Sequence, residues 1–126
     1  MHETVTYTGQ EATALGCLRK LCLAYPEAHE VEQFGHPWFK AGKRPFAVFG
    51  GHPGDAAIAF AVSKEDQHDL CAMSPGAFFP TPYMHQHGWT SLKVAAVDWP
   101  MVEELLETAY RRVALKRMVK ALEARA

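Results

Sequence analysis

Between Glu30 and Val62 the chain falls into four short apolar or aromatic runs: Val-Glu-Gln-Phe34, Pro-Trp-Phe-Lys40, Pro-Phe-Ala-Val-Phe49 and Ala-Ile-Ala-Phe-Ala-Val62. Only tight reversals part them, Gly35-His-Pro37, Ala41-Gly-Lys-Arg44 and Gly50-Gly-His-Pro-Gly-Asp55, each rich in residues that turn a chain sharply. A parallel crossover needs a dozen residues or more, so connections this short leave antiparallel neighbours as the only economical arrangement. This one stretch predicts a four-stranded antiparallel sheet, and the rest of the chain must supply what covers it.

The cover is helical. Leu15, Leu18, Leu21, Cys22 and Tyr25 recur at helical spacing over about Gln10 to Ala24, with Pro26 as the stop. Ser63 followed by Asp66 resembles a capping box, which opens a short helix from Lys64 to about Ala72. Ser74 to Pro82, with three prolines and a glycine, reads as irregular, and Thr90 to Val94 as one more strand. Asp98 is a good N-cap for a last helix that tolerates Pro100 in its first turn. That helix carries two apolar stripes. Val102, Leu105, Leu106, Ala109 and Val113 form one; Leu115, Met118, Val119 and Leu122 form another, roughly half a turn around at about 100° per residue. A straight helix cannot bury both against one core, so either it breaks near Ala114 or its distal part packs on a partner, a second copy included. The order of elements places the chain in the α+β class.

Length and composition fit one globular domain over 1–126, with a separate C-terminal helical extension from about 115 as the alternative: 126 residues, 48% hydrophobic and 21% charged. No apolar run reaches bilayer length. The segment Met1 to Tyr7 lacks the basic opening and apolar stretch of a secretory signal, so a cytoplasmic protein is expected. Cys17, Cys22 and Cys71 are odd in number and form no Cys-x-x-Cys pair; reduced, partly buried thiols are the expectation. The net charge of −1 hides an asymmetry. From Thr108 onward six basic residues face Glu123 alone, while the remainder holds seven basic against thirteen acidic.

Four segments, Leu18-Arg-Lys-Leu-Cys-Leu-Ala-Tyr-Pro26, Phe34-Gly-His-Pro-Trp-Phe-Lys40, Tyr83-Met-His-Gln-His-Gly-Trp-Thr-Ser-Leu92, and Asp98-Trp followed by Ala109-Tyr-Arg-Arg-Val-Ala-Leu-Lys-Arg117, together resemble the bacterial-type MmcQ/YjbR-like family over nearly the whole chain. The resemblance implies a two-layer α+β sandwich, helices packed on an antiparallel sheet, with a shape compared to secretion chaperones and frataxin. It also implies DNA binding through a double-wing motif. Many members have a proline where Leu115 stands here, a departure that bears on whether the last helix breaks.

The chemistry-bearing residues fall into two sets. Lys40, Lys43 and Arg44, three cations on one reversal, are the best candidate for a wing that straddles phosphates, with Arg111, Arg112, Lys116 and Arg117 adding longer-range attraction. The second reversal, Gly50 to Asp55, carries no lysine or arginine. The alternative is a protein-interaction or small-ligand module using the aromatic loop 78–89, with Trp38, Tyr83, His85, His87, Trp89 and Tyr110 as pocket residues and Leu115, Met118, Val119 and Leu122 as the docking stripe. Trp89 reads first as a core anchor. His85 and His87 would share one side of an extended segment, and a metal there would need a further ligand such as His36 or His52; no native metal site is expected on spacing this loose. The chain has no Gly-x-Ser-x-Gly elbow, phosphate-cradling loop or His-Glu-x-x-His, so neither catalysis nor a cofactor is expected.

Overall fold

The computed structural model describes residues 3–125; Met1 and His2 of the N-terminal segment discussed above, and Ala126, lie outside them. Helix α1 (Gly9–Leu23) leads into a meander of four strands: β1 (Ala28–Gln33), β2 (His36–Ala41), β3 (Arg44–Gly50) and β4 (Ala57–Phe60). Helix α2 (Lys64–Met73), strands β5 (Phe78–Pro80) and β6 (Thr90–Lys93), and helices α3 (Trp99–Val113) and α4 (Lys116–Glu123) follow. The six strands form one antiparallel sheet in the order β1-β2-β3-β4-β6-β5. The architecture is α+β, as the short reversals require.

Register sorts the side chains into two faces. Phe49, Ile58, Leu92 and Phe78 align across four strands, and the neighbouring row Val48, Ala59, Ser91 and Phe79 points the opposite way. Against the first face lie α1 and α3, whose buried Leu18, Cys22, Val102, Leu106 and Ala109 meet Phe39, Phe46, Phe49, Ile58 and Phe60 in the core. Tyr110 stacks on Tyr25 at 4.6 Å and meets Phe46 edge-on at 5.5 Å, while its hydroxyl donates to the Pro26 carbonyl at 2.7 Å. Arg19 ties α1 to β1 through a two-pronged ion pair with Glu30.

Two local expectations are corrected. The segment 74–82 contains β5, a three-residue strand whose regularity comes from pairing with β6 rather than from its own proline-rich sequence. Of the three cysteines, Cys22 is buried and Cys71 half-buried, but Cys17 is exposed. Ser63 caps α2 as expected, accepting from the Asp66 N–H, whereas Asp98 occupies the N-cap position of α3 without a side-chain cap bond.

The last helix does break. Ala114 and Leu115 are extended (ψ 150° and 158°), and the reversal lets the second stripe turn back onto the same core. Met118 is fully buried and Leu122 packs against the core, which leaves the exposed Leu115 and the half-buried Val119 on the surface. The break forms with leucine at position 115, so a proline there is not required for it. No helix among the described residues is long and apolar enough to cross a membrane.

Candidate nucleic-acid interface

The β2–β3 hairpin turns through two residues, Gly42 and Lys43, with Gly42 at φ +62°, the left-handed conformation that a primed turn demands of its first position. A side chain at Gly42 would also meet the Met118 methyl at 2.9 Å, so the tip is seated on α4 by the absence of a Cβ. Three residues past the tip, the register shifts. Phe39 pairs with Ala47 and Lys40 with Pro45, leaving Phe46 as the extra residue of a bulge. Pro45, which has no N–H to give a ladder, is tolerated at this irregularity, and the bulge bends the base of the hairpin.

A second segment reaches the same end of the sheet. His85–His87 form a 3-10 turn closed by Gly88 at φ +95°, where any Cβ would collide with the Val62 carbonyl and the Ser63 backbone. Gln67 of α2 donates to the Trp89 carbonyl at 2.8 Å and to the His85 carbonyl at 3.2 Å, and Thr90 donates to the Gly88 carbonyl at 2.9 Å. These bonds hold His87 and Trp89 over the end of β4. The third contributor is the C-terminal end of α3, where the carbonyl end of the helix dipole favours cations.

Together the three elements line one depression of about 340 Å³ with Arg44, Pro45, Ala61, Val62, His87, Trp89, Arg112 and Val113. Both arginines are exposed, and neither forms an ion pair among the described residues. Trp89 is buried to 8% exposure, as expected of a core anchor, and its ring lies 6.5 Å from that of Trp38. Lys43 stands exposed at the adjoining turn. The site thus draws Arg44 and Arg112 from the cation set and His87 and Trp89 from the aromatic-loop set, two groups of residues that sequence reasoning had kept apart. Nothing in the spacing joins Arg44 to Arg112. The only local signals are the glycines at 42 and 88, which mark where the backbone must turn or approach closely.

Other candidates are disposed differently. Arg111 is engaged by Glu107 and Glu123, each at 3.0 Å. Arg117 grips Glu27 with two prongs at 2.9 and 3.0 Å, which holds the Glu27 carboxyl below the usual carboxylate range and raises the Arg117 guanidinium; Glu123 and Glu107 raise that of Arg111. These two charges are largely spent within the molecule. Lys116 is exposed at the start of α4, and Lys40 is half-buried within β2. Tyr110 is removed from any pocket by its full burial in the core, a position its place on the α3 stripe explains. Tyr83 is 92% exposed and Trp38 donates its indole N–H to the Gln33 carbonyl. His85 and His87 do not share a strand face, because the turn carries them round a 3-10 helix instead. Among the described residues no three His, Cys, Asp or Glu side chains converge in a way that would hold a metal ion. Glu11 accepts from the Gly54 and Ala56 N–H groups, so the second hairpin, which has no lysine or arginine, also has backbone donors already committed.

The chain matches the model of the YjbR family over residues 23–112, which takes in the hairpin and every residue lining the depression except Val113. It is similar in structure to the Deinococcus radiodurans protein DR2400, which has a DUF419 domain. The TM-score is 0.72 at 21% identity, covering 86% of this chain and 87% of that one; this likeness shows the fold. No curated protein sequence matches the chain.

Proposed function

Taking as premise that the chain belongs to the YjbR family, we propose that it is a non-enzymatic, cytoplasmic nucleic-acid-binding protein that holds the phosphate backbone at the basic end of its sheet. One observation carries this reading: Arg44 and Arg112, brought from a hairpin and a helix terminus, line one depression without a carboxylate partner, beside exposed Lys43. Unpaired guanidinium groups offer several N–H donors in a fixed fork, which suits phosphate oxygens. His87 adds ring nitrogens, and Trp89 gives the depression an apolar floor. A volume of about 340 Å³ admits a phosphodiester and part of its sugar rather than a duplex, so a duplex would lie across the mouth with the hairpin tip along it. A net charge of −1 keeps the affinity low and makes it depend on local rather than global attraction. Contacts to phosphate carry no sequence information, so little sequence preference is expected.

The test is fluorescence anisotropy with a labelled duplex at low and at physiological salt. The parent should show saturable binding whose affinity falls steeply with salt. K43A/R44A/R112A should bind weakly and show a log–log salt slope shallower by up to about 3, since each phosphate contact contributes roughly 0.9. R111A/R117A, whose charges are engaged internally, should lose far less. Binding that ignores salt, or that survives the triple substitution, would sink the reading.

A further inference from the structure

The face of the sheet turned away from α1 and α3 holds a second cavity that shares no lining residue with the basic depression. Its floor is made of small side chains on adjacent strands: Gly50 opposite Ala57, and Ala59 opposite Ser91, with Val48 beside them. Its wall comes from Phe79 of β5 and from Pro82 and Met84 of the β5–β6 connection, and its mouth from Gly51, His52 and Asp55 of the β3–β4 hairpin. The volume is about 250 Å³. An apolar cavity of roughly 150 Å³ suffices for benzene, so one ring with a short substituent fits here.

Small residues alone would mean only a thin layer, but the cavity also contains an unspent hydrogen-bond donor. Thr81 and Ser91 line it, are 8% and 4% exposed, and bond to each other at 2.9 Å. Two hydroxyls carry two protons, and one bond between them consumes one. Whichever oxygen accepts keeps its own O–H, and no other partner for either hydroxyl exists among the described residues. A buried donor left this way is destabilising until an acceptor reaches it. No lysine or arginine lines the cavity, and its one carboxylate, Asp55, sits exposed at the mouth 3.9 Å from the Lys93 ammonium, so the interior holds a hydroxyl donor and no formal charge to favour an ion over a neutral molecule. Met84 gives one wall a side chain that adapts its shape.

We infer that this cavity binds an uncharged small molecule with an apolar, single-ring-sized body and one hydrogen-bond acceptor, the acceptor taking the free proton of the Thr81–Ser91 pair. The site is independent of nucleic-acid binding and would persist if that reading failed.

Acetophenone and ethylbenzene have the same ring and a two-carbon substituent, and differ in the carbonyl. Titrated into the parent protein and followed by methyl NMR, both should shift the Ala57, Ala59 and Met84 signals, with acetophenone binding about fivefold more tightly, the ratio that one neutral hydrogen bond supplies. T81V/S91A should abolish that advantage while keeping ethylbenzene affinity, and A59L should exclude both probes by filling the floor. The comparison of the two probes on the parent needs no variant, so a variant that fails to fold leaves the test intact. Equal affinities on the parent, or no shift at Ala57 and Ala59 up to the solubility of the probes, would overturn the assignment.

Discussion

On the face covered by α1 and α3, the sheet presents Phe39, Phe46, Phe49, Ile58 and Phe60, all fully buried; on the other, the same strands present Trp38, Val48, Ala57, Ala59 and Ser91. Alternation along each strand is common to both, so the difference lies in what meets the side chains. Two long helices bring Leu18, Val102, Leu106 and Tyr110 to the first face and fill it. The second receives part of a loop, and small side chains there leave a cavity where large ones would have had nothing to pack on. Stability is concentrated on one side of the sheet, while room for a ligand is concentrated on the other.

The strongest way to break this contrast is to cut adjacent residues of β4 that point in opposite directions. Phe60→Ala should cost about 3–5 kcal/mol in urea unfolding, since it opens a hole in a filled core. Ala59→Leu, whose added carbons enter existing space, should cost under about 1 kcal/mol; similar costs for the two would mean that the faces are packed alike. Next in size, Met118→Ala should cost about 2–4 kcal/mol, because the second stripe belongs to the helix-side core. A negligible cost, with self-association in light scattering, would return that stripe to the surface.

Alkaline solution should weaken the helix side in particular. Burial, with Glu11 adding for Tyr7 and Glu107 for Tyr25, raises both phenols from 10.0 to about 12. Their contribution is fully present below the unfolded value and is lost as pH rises from 10 towards 12, because the unfolded chain releases the protons first. Denaturation midpoints should therefore decline across that window; a flat profile would mean that these rings are not held in the core. The smallest effect is expected from K43A/R44A/R112A, within about 0.5 kcal/mol of the parent, as befits exposed cations without carboxylate partners. A larger loss would make those residues part of the scaffold and blur their separation from it.

Much of the architecture was legible because local and tertiary preferences agree. The short reversals allowed only antiparallel pairing, Ser63 and Asp66 marked the start of α2, and the displaced stripe after Val113 required a break or a partner. Strand β5 was hidden because Phe78-Phe-Pro80 has too little sequence of its own to announce a strand, and β6 supplies its order. The candidate site was only half visible. Lys43 and Arg44 stand at a tip that any reading of turns would find, but their junction with Arg112 depends on how α3 crosses the sheet. Likewise, nothing near Arg117 in the chain reveals that Glu27, 90 residues away, has already claimed it. Tyr110 was misplaced as a pocket residue although it lies one turn beyond Leu106, on the stripe that α3 buries.

The seating of Gly42 against Met118 also has a history in time. At a synthesis rate of roughly 5–20 residues per second, the hairpin is made several seconds before the methionine that fixes its tip. During that interval the turn can form locally, but the direction in which Lys43 and Arg44 point is not yet set. On the ribosome, the basic end of the sheet is among the last features to mature.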